Sequence, residues 1–343
     1  MPSSTALRTP PATARPAPVG GFLPDAVDID RSRRRGRGTL SNASGRYEQI
    51  ARIAFDDGWQ SLDELPPFQT TVSIDATRKI ITRNESPDIS FDRSINPYRG
   101  CEHGCVYCFA RPTHAYLGLS PGLDFESKLF VKPDAPQLLE RAGHPVGIVT
   151  KSAMILRDLD ILARMAERSL VKVAISVTTL DPALARIMEP RAATPGRRLE
   201  ALRQLSRAGV PTSVMVAPVI PAINDMEIER ILDAAAFAGV KGAGYVLLRL
   251  PLEVRDLFHE WLQAHFPDRA ARVFKLIRDT RGGKDYDATF GRRMKGEGPY
   301  AWMVGRRFEK ACDRLGLNQA RTPLSTEHFA PPQPRAKQLS LFN

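Results

Sequence analysis

The sequence predicts an α/β protein whose centre is a partial, open barrel of parallel strands and helices. Short apolar runs alternate with helical patterns between residues 94 and 251, and this alternation is typical of β/α units. The run 146–151 has the composition of a buried strand. The helical pattern over 197–208 closes at Gly209, where a left-handed backbone conformation costs a glycine little.

The elements follow one another in a regular order. Strands are predicted over residues 128–132, 146–151, 171–178, 210–219 and 244–250. Helices are predicted between them over 135–142, 152–168, 182–188, 197–208 and 225–238, and after them over 252–265, 270–278 and 300–315. Nearer the N-terminus, the pattern predicts a short helix over 47–56 and a strand or hairpin over 71–81.

These elements divide the chain into five regions. We expect residues 1–46 to form a disordered basic arm, 47–93 an N-terminal extension and 94–251 the barrel core. A C-terminal helical extension over 252–318 and a disordered, proline-rich tail over 319–343 complete the chain.

The positive charge is concentrated in the N-terminal region. The chain has 49 Lys and Arg against 38 Asp and Glu, a formal net charge of +11, and the first 46 residues contribute +5 of it. Five arginines fall within residues 31–37, and clustered arginines beside flexible glycines suit the non-specific binding of phosphates. This region therefore predicts a DNA-binding arm, with a solubilising tail as the alternative.

Composition excludes several classes of protein. Four cysteines among 343 residues exclude a disulfide scaffold and favour a reducing compartment. No stretch approaches the ~18 consecutive apolar residues of a membrane span, and the N-terminus lacks the apolar region of a secretory signal. We therefore expect a cytoplasmic protein with no membrane partner.

Three cysteines lie close together in a loop that follows the segment Asn96–Gly100. Cys101, Cys105 and Cys108 leave gaps of three and two residues, which lets three thiolates converge on one face of a [4Fe–4S] cluster. Three protein ligands on four irons leave one iron open to a small chelating molecule. Zinc is the alternative, with His103 or His114 as the fourth ligand, although the second cysteine pair of a structural zinc site is missing. 

This motif, with an aromatic residue before its last cysteine, resembles the signature of the radical S-adenosyl-L-methionine (radical SAM) superfamily. The wider match, from Asn96 through Cys101 to the stretch Ala110–His114, is similar to a bacterial branch related to spore photoproduct lyase. The resemblance implies a radical SAM barrel with a [4Fe–4S] cluster whose open iron binds S-adenosyl-L-methionine. It also implies a lyase-like enzyme that abstracts hydrogen from its substrate, and an electron donor such as flavodoxin or ferredoxin.

The same resemblance implies roles for individual residues. Tyr107 matches the aromatic residue near the adenine of the cofactor, and Lys151, at the end of a strand, matches a lysine that meets the cofactor's carboxylate. Ser176 matches a strand-end serine that contacts the cofactor, with a helix cap or a core hydroxyl as its alternative. Glu189, Pro190, Arg198, Ala217 and Pro218 match further positions of that branch, and Arg249 is a candidate to meet an anionic substrate.

Two features depart from that branch. Relatives insert a strand and a helix between the equivalents of Arg141 and His144, and here that β/α unit is absent. The barrel is then wider open, recruits residues 128–132, or is impaired in function. The lyase also uses a cysteine hydrogen donor in the missing region, and the spare thiol here, Cys312, is better explained as a buried core residue.

The C-terminal tail ends in a short peptide that resembles the one by which bacterial repair factors bind the DNA sliding clamp. It consists of Gln338, Leu339, Ser340, Leu341 and Phe342. A flexible tail of this kind presents an amide and an apolar pair to a pocket, and the alternative is that the tail folds back onto its own domain.

Together these observations predict a radical SAM enzyme that acts on DNA, in repair. The alternatives are radical SAM modification of RNA, of a protein or of a metabolite, and a non-catalytic iron–sulfur scaffold associated with DNA.

Overall fold

The computed structural model describes residues 29–48, 66–75, 80–89, 91–135, 144–320 and 323–327. The N-terminal part of these residues forms two small sheets. In the first, β1 (Thr71–Ile74), β4 (Tyr98–Arg99) and β5 (Lys128–Val131) are ordered β1-β5-β4, with β5 parallel to β1 and antiparallel to β4. In the second, β2 (Ile81–Arg83) pairs antiparallel with β3 (Arg93–Ile95). 

Two short helices lie between β4 and β5. A 3₁₀ helix spans Arg111–Leu117, and α1 (Leu123–Ser127) runs directly into β5. The cysteine loop therefore connects β4 to these helices.

The main sheet is parallel and open. Its strands are β6 (Val146–Thr150), β7 (Val171–Ser176), β8 (Thr212–Val219) and β9 (Gly242–Leu247), in that order across the sheet. This order confirms the predicted α/β class with an open parallel sheet, because each strand pairs with the next one in the sequence.

Helices connect the strands of the main sheet. A 3₁₀ turn (Ala153–Asp158) and α2 (Leu159–Glu167) follow β6, while α3 (Pro182–Met188) and α4 (Pro195–Arg207) follow β7. A 3₁₀ turn (Asp225–Glu227) and α5 (Ile228–Phe237) follow β8. After β9 come α6 (Val254–His265), α7 (Pro267–Asp279) and α8 (Gly298–Arg314). Among the described residues, no helix is both long and apolar enough to span a bilayer.

Local sequence signals explain where several helices begin and end. The Asp181 side chain accepts a hydrogen bond of 2.8 Å from the Ala183 N–H, and Pro182 occupies the first helical position of α3. Gly209, beyond the end of α4, has φ of +77°, which confirms the predicted left-handed stop.

Two apolar cores hold these layers together. The first lies between the main sheet and its helices and includes Val173, Val214 and Leu232. The second lies beneath the cysteine loop, where Val106 packs with side chains of α3, α6 and α7, including Trp261. Because Cys105 and Tyr107 belong to this second core, the middle of the cysteine loop is anchored by apolar contacts.

Residues 128–132 do not join the main sheet. The strand Lys128–Val131 pairs with Thr71–Ile74 and Tyr98–Arg99, so the idea that the barrel recruits this strand is wrong for the described residues. The pattern over 71–81 also does not form one strand or hairpin, because Thr71–Ile74 and Ile81–Arg83 belong to different sheets. The helices predicted over 47–56 and 135–142 lie almost entirely outside the described residues.

The structure differs from the expected disordered arm at residues 29–46. Gly38 N–H and Thr39 N–H donate hydrogen bonds of 2.8 and 3.1 Å to the Glu126 carboxylate, and the Arg37 side chain is buried. A buried carboxylate needs hydrogen-bond donors, and residues 37–39 supply them to Glu126. These contacts order the segment although its polar composition predicts disorder. Residues 1–28 of the predicted arm, and the tail residues 328–343, lie outside the described residues.

Candidate active site

The cysteine loop lies between β4 and the first 3₁₀ helix and is fixed by its own backbone. Cys101 N–H donates to the Phe125 carbonyl at 2.9 Å, and Cys108 N–H donates to the Cys105 carbonyl at 3.2 Å. Val106 N–H donates to the Met188 carbonyl at 3.2 Å, which ties the loop to the end of α3. These bonds place the three thiols on one short, well-supported turn.

The three thiols are reduced, and their environments differ. Cys105 is buried, while Cys101 and Cys108 are partly exposed. Burial raises the pKa of Cys101 and raises that of Cys105 well above its ordinary value. A neutral, unligated thiol is therefore favoured at the buried position, and a thiolate there requires a compensating metal centre.

Lys151 faces the cysteine loop from the end of β6. Its ammonium group donates to the Ala217 carbonyl at 3.2 Å and lies 3.7 Å from Glu189 Oε1. The same nitrogen lies 5.7 Å from the centroid of the Tyr107 ring. Burial lowers the pKa of Lys151 to about 8, while negative charge on the three cysteines opposes that shift. The lysine and the three sulfurs therefore lie close enough to interact electrostatically.

Glu189 is the centre of the polar network beside the lysine. Its carboxylate accepts hydrogen bonds from the Tyr107 hydroxyl and from Thr178 Oγ1, the latter at 2.5 Å, and it pairs with the buried Arg198 guanidinium. Burial raises the pKa of Glu189, and the charge of Arg198 acts in the opposite direction. The network fixes Tyr107 and Lys151 relative to each other.

Ser176 ends β7, next to the strand that leads to Lys151. Thr150 pairs with Ile175, so Lys151 and Ser176 follow at the same carboxyl edge of the sheet. The Ser176 carbonyl accepts a 3.1 Å hydrogen bond from Arg198 Nη1, and its side chain is nearly buried. In a parallel sheet this edge is where ligands bind.

A second buried ion pair supports the cysteine loop from the opposite side. Arg111 donates to the Cys105 carbonyl at 2.9 Å and to Glu126 Oε1 at 2.6 Å, and both charged side chains are wholly buried. Glu126 also accepts the hydrogen bonds from Gly38 and Thr39. A Cβ atom at Gly38 would lie 1.7 Å from the Gly104 carbonyl oxygen, so the N-terminal segment contacts the cysteine loop backbone to backbone.

The donor set of the loop fits an iron–sulfur cluster. It offers three thiols on one loop with the Lys151 ammonium group near them, and thiolates are the ligands of iron–sulfur clusters. Among the described residues, no group of three His, Cys, Asp or Glu side chains could hold a single metal ion. His114, a candidate ligand in the zinc alternative, is buried, with Nε2 2.9 Å from the Lys128 carbonyl oxygen and Nδ1 without a hydrogen-bond partner among the described residues.

Cys312 lies elsewhere, on α8, in the core of the main sheet. It is nearly buried, and burial raises its pKa to about 11. The interpretation of this cysteine as a core residue is confirmed.

The structure brings together the predicted residues Cys101, Cys105, Cys108, Tyr107 and Lys151, with Ser176 at the same edge. The clamp-like peptide over residues 338–342 lies outside the described residues. Sequence reasoning treated Glu189 and Arg198 only as matching positions and missed Thr178 and the pair of Arg111 with Glu126. 

The comparisons with known proteins agree with this geometry. The family model of the radical SAM superfamily matches residues 118–235, which begin downstream of the cysteines. The uncharacterized protein Rv2578c of Mycobacterium tuberculosis is 32% identical over 232 residues, covering 55% of this chain and 68% of that protein. The uncharacterized protein MJ0683 of Methanocaldococcus jannaschii is 24% identical over 208 residues, covering 51% and 76%.

Among solved structures, a cysteine-to-serine mutant of spore photoproduct lyase matches with a TM-score of 0.46 and 15% identity over 80% of this chain and 87% of that chain. The lyase in complex with a dinucleoside spore photoproduct matches with a TM-score of 0.44 and 15% identity, over 72% and 80%.

The chain belongs to the radical SAM superfamily. The protein is therefore a radical SAM enzyme, and membership of this superfamily implies a [4Fe–4S] cluster and S-adenosyl-L-methionine as cofactors.

Proposed function

We propose that this radical SAM enzyme acts on a nucleic acid, with DNA in repair as the favoured substrate. The observation that carries the chemistry is the juxtaposition of three thiols on one loop with Lys151 at the carboxyl edge of the parallel sheet. The net charge of +11 and the clamp-like peptide at the C-terminus support a nucleic acid as the substrate.

Cys101, Cys105 and Cys108 would hold the cluster through their thiolates. Once bound and reduced by one electron from an external donor, the cluster would supply, together with S-adenosyl-L-methionine, the radical chemistry that removes a hydrogen atom from a substrate. Lys151 contributes a positive charge beside this cofactor, where it suits a carboxylate, and the Ala217 carbonyl directs the ammonium group.

Tyr107 and Ser176 would complete the walls of the cofactor site. The Tyr107 hydroxyl is held by Glu189 and Thr178, so its ring presents a fixed face toward Lys151. Because Arg198 contacts both Glu189 and the Ser176 carbonyl, one guanidinium positions both walls. The apolar core beneath the loop excludes water from the other side of the thiols.

Anaerobic reconstitution tests the chemistry directly. We expect the wild-type chain to bind iron and sulfide and to form 5′-deoxyadenosine when dithionite and S-adenosyl-L-methionine are added. Replacing Cys101, Cys105 or Cys108 with Ala removes the cluster, while Cys312→Ala retains it. Intact cofactor beside a normal cluster would favour the non-catalytic scaffold, and tightly bound zinc without iron would contradict the proposal.

The DNA assignment has its own test in the C-terminal peptide. We expect the wild-type chain to bind a bacterial sliding clamp and the double variant Leu341→Ala/Phe342→Ala to lose that binding. A double variant that still binds as well as wild type would remove the clamp as a partner. The basic residues 31–37 are tested in parallel by the salt dependence of DNA binding.

A further inference from the structure

Arg249 places a cation at the mouth of the sheet, close to the cysteine loop. It lies just beyond the end of β9, at the carboxyl edge that also bears Lys151 and Ser176. Its guanidinium carbon lies 5.5 Å from the centroid of the ring of Phe109, the residue that follows Cys108. The Phe109 side chain is 65% exposed, so the ring beside this partly buried cation faces solvent next to the cysteine loop.

The contacts of Arg249 are neutral and incomplete. Nη1 lies 3.4 Å from the Met294 sulfur, and Nη2 donates to the Tyr286 hydroxyl at 3.3 Å. Nε is buried and has no hydrogen-bond partner among the described residues. No ion pair within 4.0 Å joins Arg249 to a carboxylate in the part of the chain that the structure describes. A buried, unpaired donor is costly, and a bound oxyanion would satisfy it.

A second arginine lies behind the first. The Arg281 side chain is buried, and its guanidinium donates to the carbonyls of Arg292 at 2.6 Å and Leu248 at 3.0 Å. Burial lowers the pKa of Arg281, and the charge of Arg249 lowers it further. Among the described residues neither arginine forms an ion pair within 4.0 Å with a carboxylate, although the charge of Asp287 opposes the effect of Arg249 on the pKa of Arg281.

The carboxylates nearby, Asp88 and Asp287, form hydrogen bonds or ion pairs with other residues. Asp88 accepts a 2.6 Å hydrogen bond from Gly291 N–H and pairs with Arg293. Asp287 accepts a 2.8 Å hydrogen bond from Thr289 N–H. Arg249 forms no close ion pair with either carboxylate, although its charge contributes to lowering the pKa of Asp88.

An open groove adjoins this position and gives a ligand room. Its volume is about 610 Å³, within the usual range for small-molecule sites, and Tyr286 lines it. The charged lining of the groove is mixed, because Arg46 pairs with Glu253, Arg255 with Asp256 and Arg278 with Asp285, while Lys284 also lines it. Arg249 does not line the groove itself and adjoins it through the Tyr286 hydroxyl.

We propose that Arg249, backed by Arg281 and seated on Phe109, binds an oxyanion of a phosphate ester in the substrate. The guanidinium fork matches the spacing of phosphate oxygens. This inference rests on the proposed function, and it names the chemistry by which the substrate is held beside the cluster. The phosphate has two sources, a nucleic-acid strand or a free nucleotide.

Binding measurements on the reconstituted full-length chain, without reductant, test the proposal and distinguish the sources. The probes are a fluorescently labelled short single-stranded oligonucleotide and thymidine 5′-monophosphate. We expect Arg249→Gln to weaken binding of at least one probe by ~10-fold and Arg249→Lys to restore part of it. If the source is a strand, Arg249→Gln should reduce the magnitude of the slope of log K against log[salt] by ~0.7, as expected for the loss of one phosphate contact.

The matched control is Arg164→Gln. Arg164 lies on α2, outside the groove, and its exposed side chain pairs with Asp160 at 3.3 Å, so we expect its loss to change binding by less than ~2-fold. If Arg249→Gln weakens binding of the oligonucleotide, the source of the phosphate is a nucleic-acid strand. If it weakens binding of the mononucleotide alone, the source is a free nucleotide. If Arg249→Gln, with unchanged circular dichroism, binds both probes as the control does, the inference is overturned.

The outcome is separable from that of the proposed function. Phosphate binding that depends on Arg249 in a protein that never forms 5′-deoxyadenosine would leave this site intact and overturn the proposed chemistry. If the wild type cleaves the cofactor but Arg249→Gln binds both probes normally, the proposed chemistry stands and the phosphate site is overturned.

Discussion

The buried pair of Arg111 and Glu126 gives the sharpest test of how this fold holds its cysteine loop. The substitution Glu126→Gln keeps the shape of the side chain and removes its charge. The carboxylate accepts hydrogen bonds from Arg111, from both donors of Thr39 and from the N–H of Gly38. An amide oxygen replaces one of the two acceptors, but the amide nitrogen then faces the donor of Gly38 or of Arg111.

The expected magnitude follows from burial. Both charged side chains have no exposed surface, so removing one charge leaves the other buried and uncompensated. Breaking a buried pair from one side costs ~3–5 kcal/mol in the free energy of unfolding. With a urea dependence of ~3 kcal/mol per M, the unfolding midpoint falls by at least about 1 M.

Urea unfolding followed by circular dichroism measures this change. The matched control is Glu309→Gln, which breaks an exposed pair with Arg306 at 2.9 Å and should cost less than ~0.5 kcal/mol. Thr39→Val is a milder variant, because it removes one 3.0 Å hydrogen bond to Glu126 and should cost ~1 kcal/mol. Equal losses for Glu126→Gln and Glu309→Gln would refute the reasoning.

Three further predictions concern single positions. Gly38→Ala should destabilise the chain by ~1–3 kcal/mol in urea unfolding, because the added Cβ meets the Gly104 carbonyl oxygen at 1.7 Å, whereas Gly196→Ala, with no atom within 4 Å, should not; equal midpoints would contradict this. Cys312 ionises at a pKa of about 11 when folded and ~8.5 when unfolded, so the unfolded chain binds fewer protons between these values. The stability advantage of wild type over Cys312→Ala should therefore shrink as pH rises from ~8.5 to 11, and a constant difference would argue against the buried thiol. Trp261→Phe should lower the free energy of unfolding by ~1–3 kcal/mol, because it leaves the Ile187 carbonyl without its 2.9 Å indole donor, and an unchanged free energy would show that this bond contributes nothing.

The periodicity of apolar residues predicted the strands of the main sheet and the edge at which the site lies. The strands Val146–Thr150, Val171–Ser176 and Thr212–Val219 lie within two residues of their predicted bounds. Buried parallel strands are continuous apolar runs, which suits the second and third, but Val146–Thr150 is an edge strand with Val149 69% exposed, so its prediction as a buried strand is wrong. Strand ends of one parallel sheet share an edge, so Lys151 and Ser176 were predictable as neighbours once their strands were identified.

The polar partners of the site were not predictable in the same way. Glu189 contacts Tyr107, which is far away in the sequence, and no local pattern distinguishes a buried glutamate from a solvated one. The run 31–37 has the composition of a disordered arm, yet Arg37 is buried where the chain meets Glu126.

The sequence by itself determined the kind of chemistry, since three cysteines at fixed spacing on one loop are a local feature that needs no distant partner. It also determined the class of fold, through the alternation of strands and helices. Only the tertiary structure decided how the charges around that loop are paired: Lys151 lies beside Glu189, and Arg111 pairs with Glu126. The physical reason is that a buried charge is tolerated only beside its partner, and for these pairs the chain must fold before the partners meet.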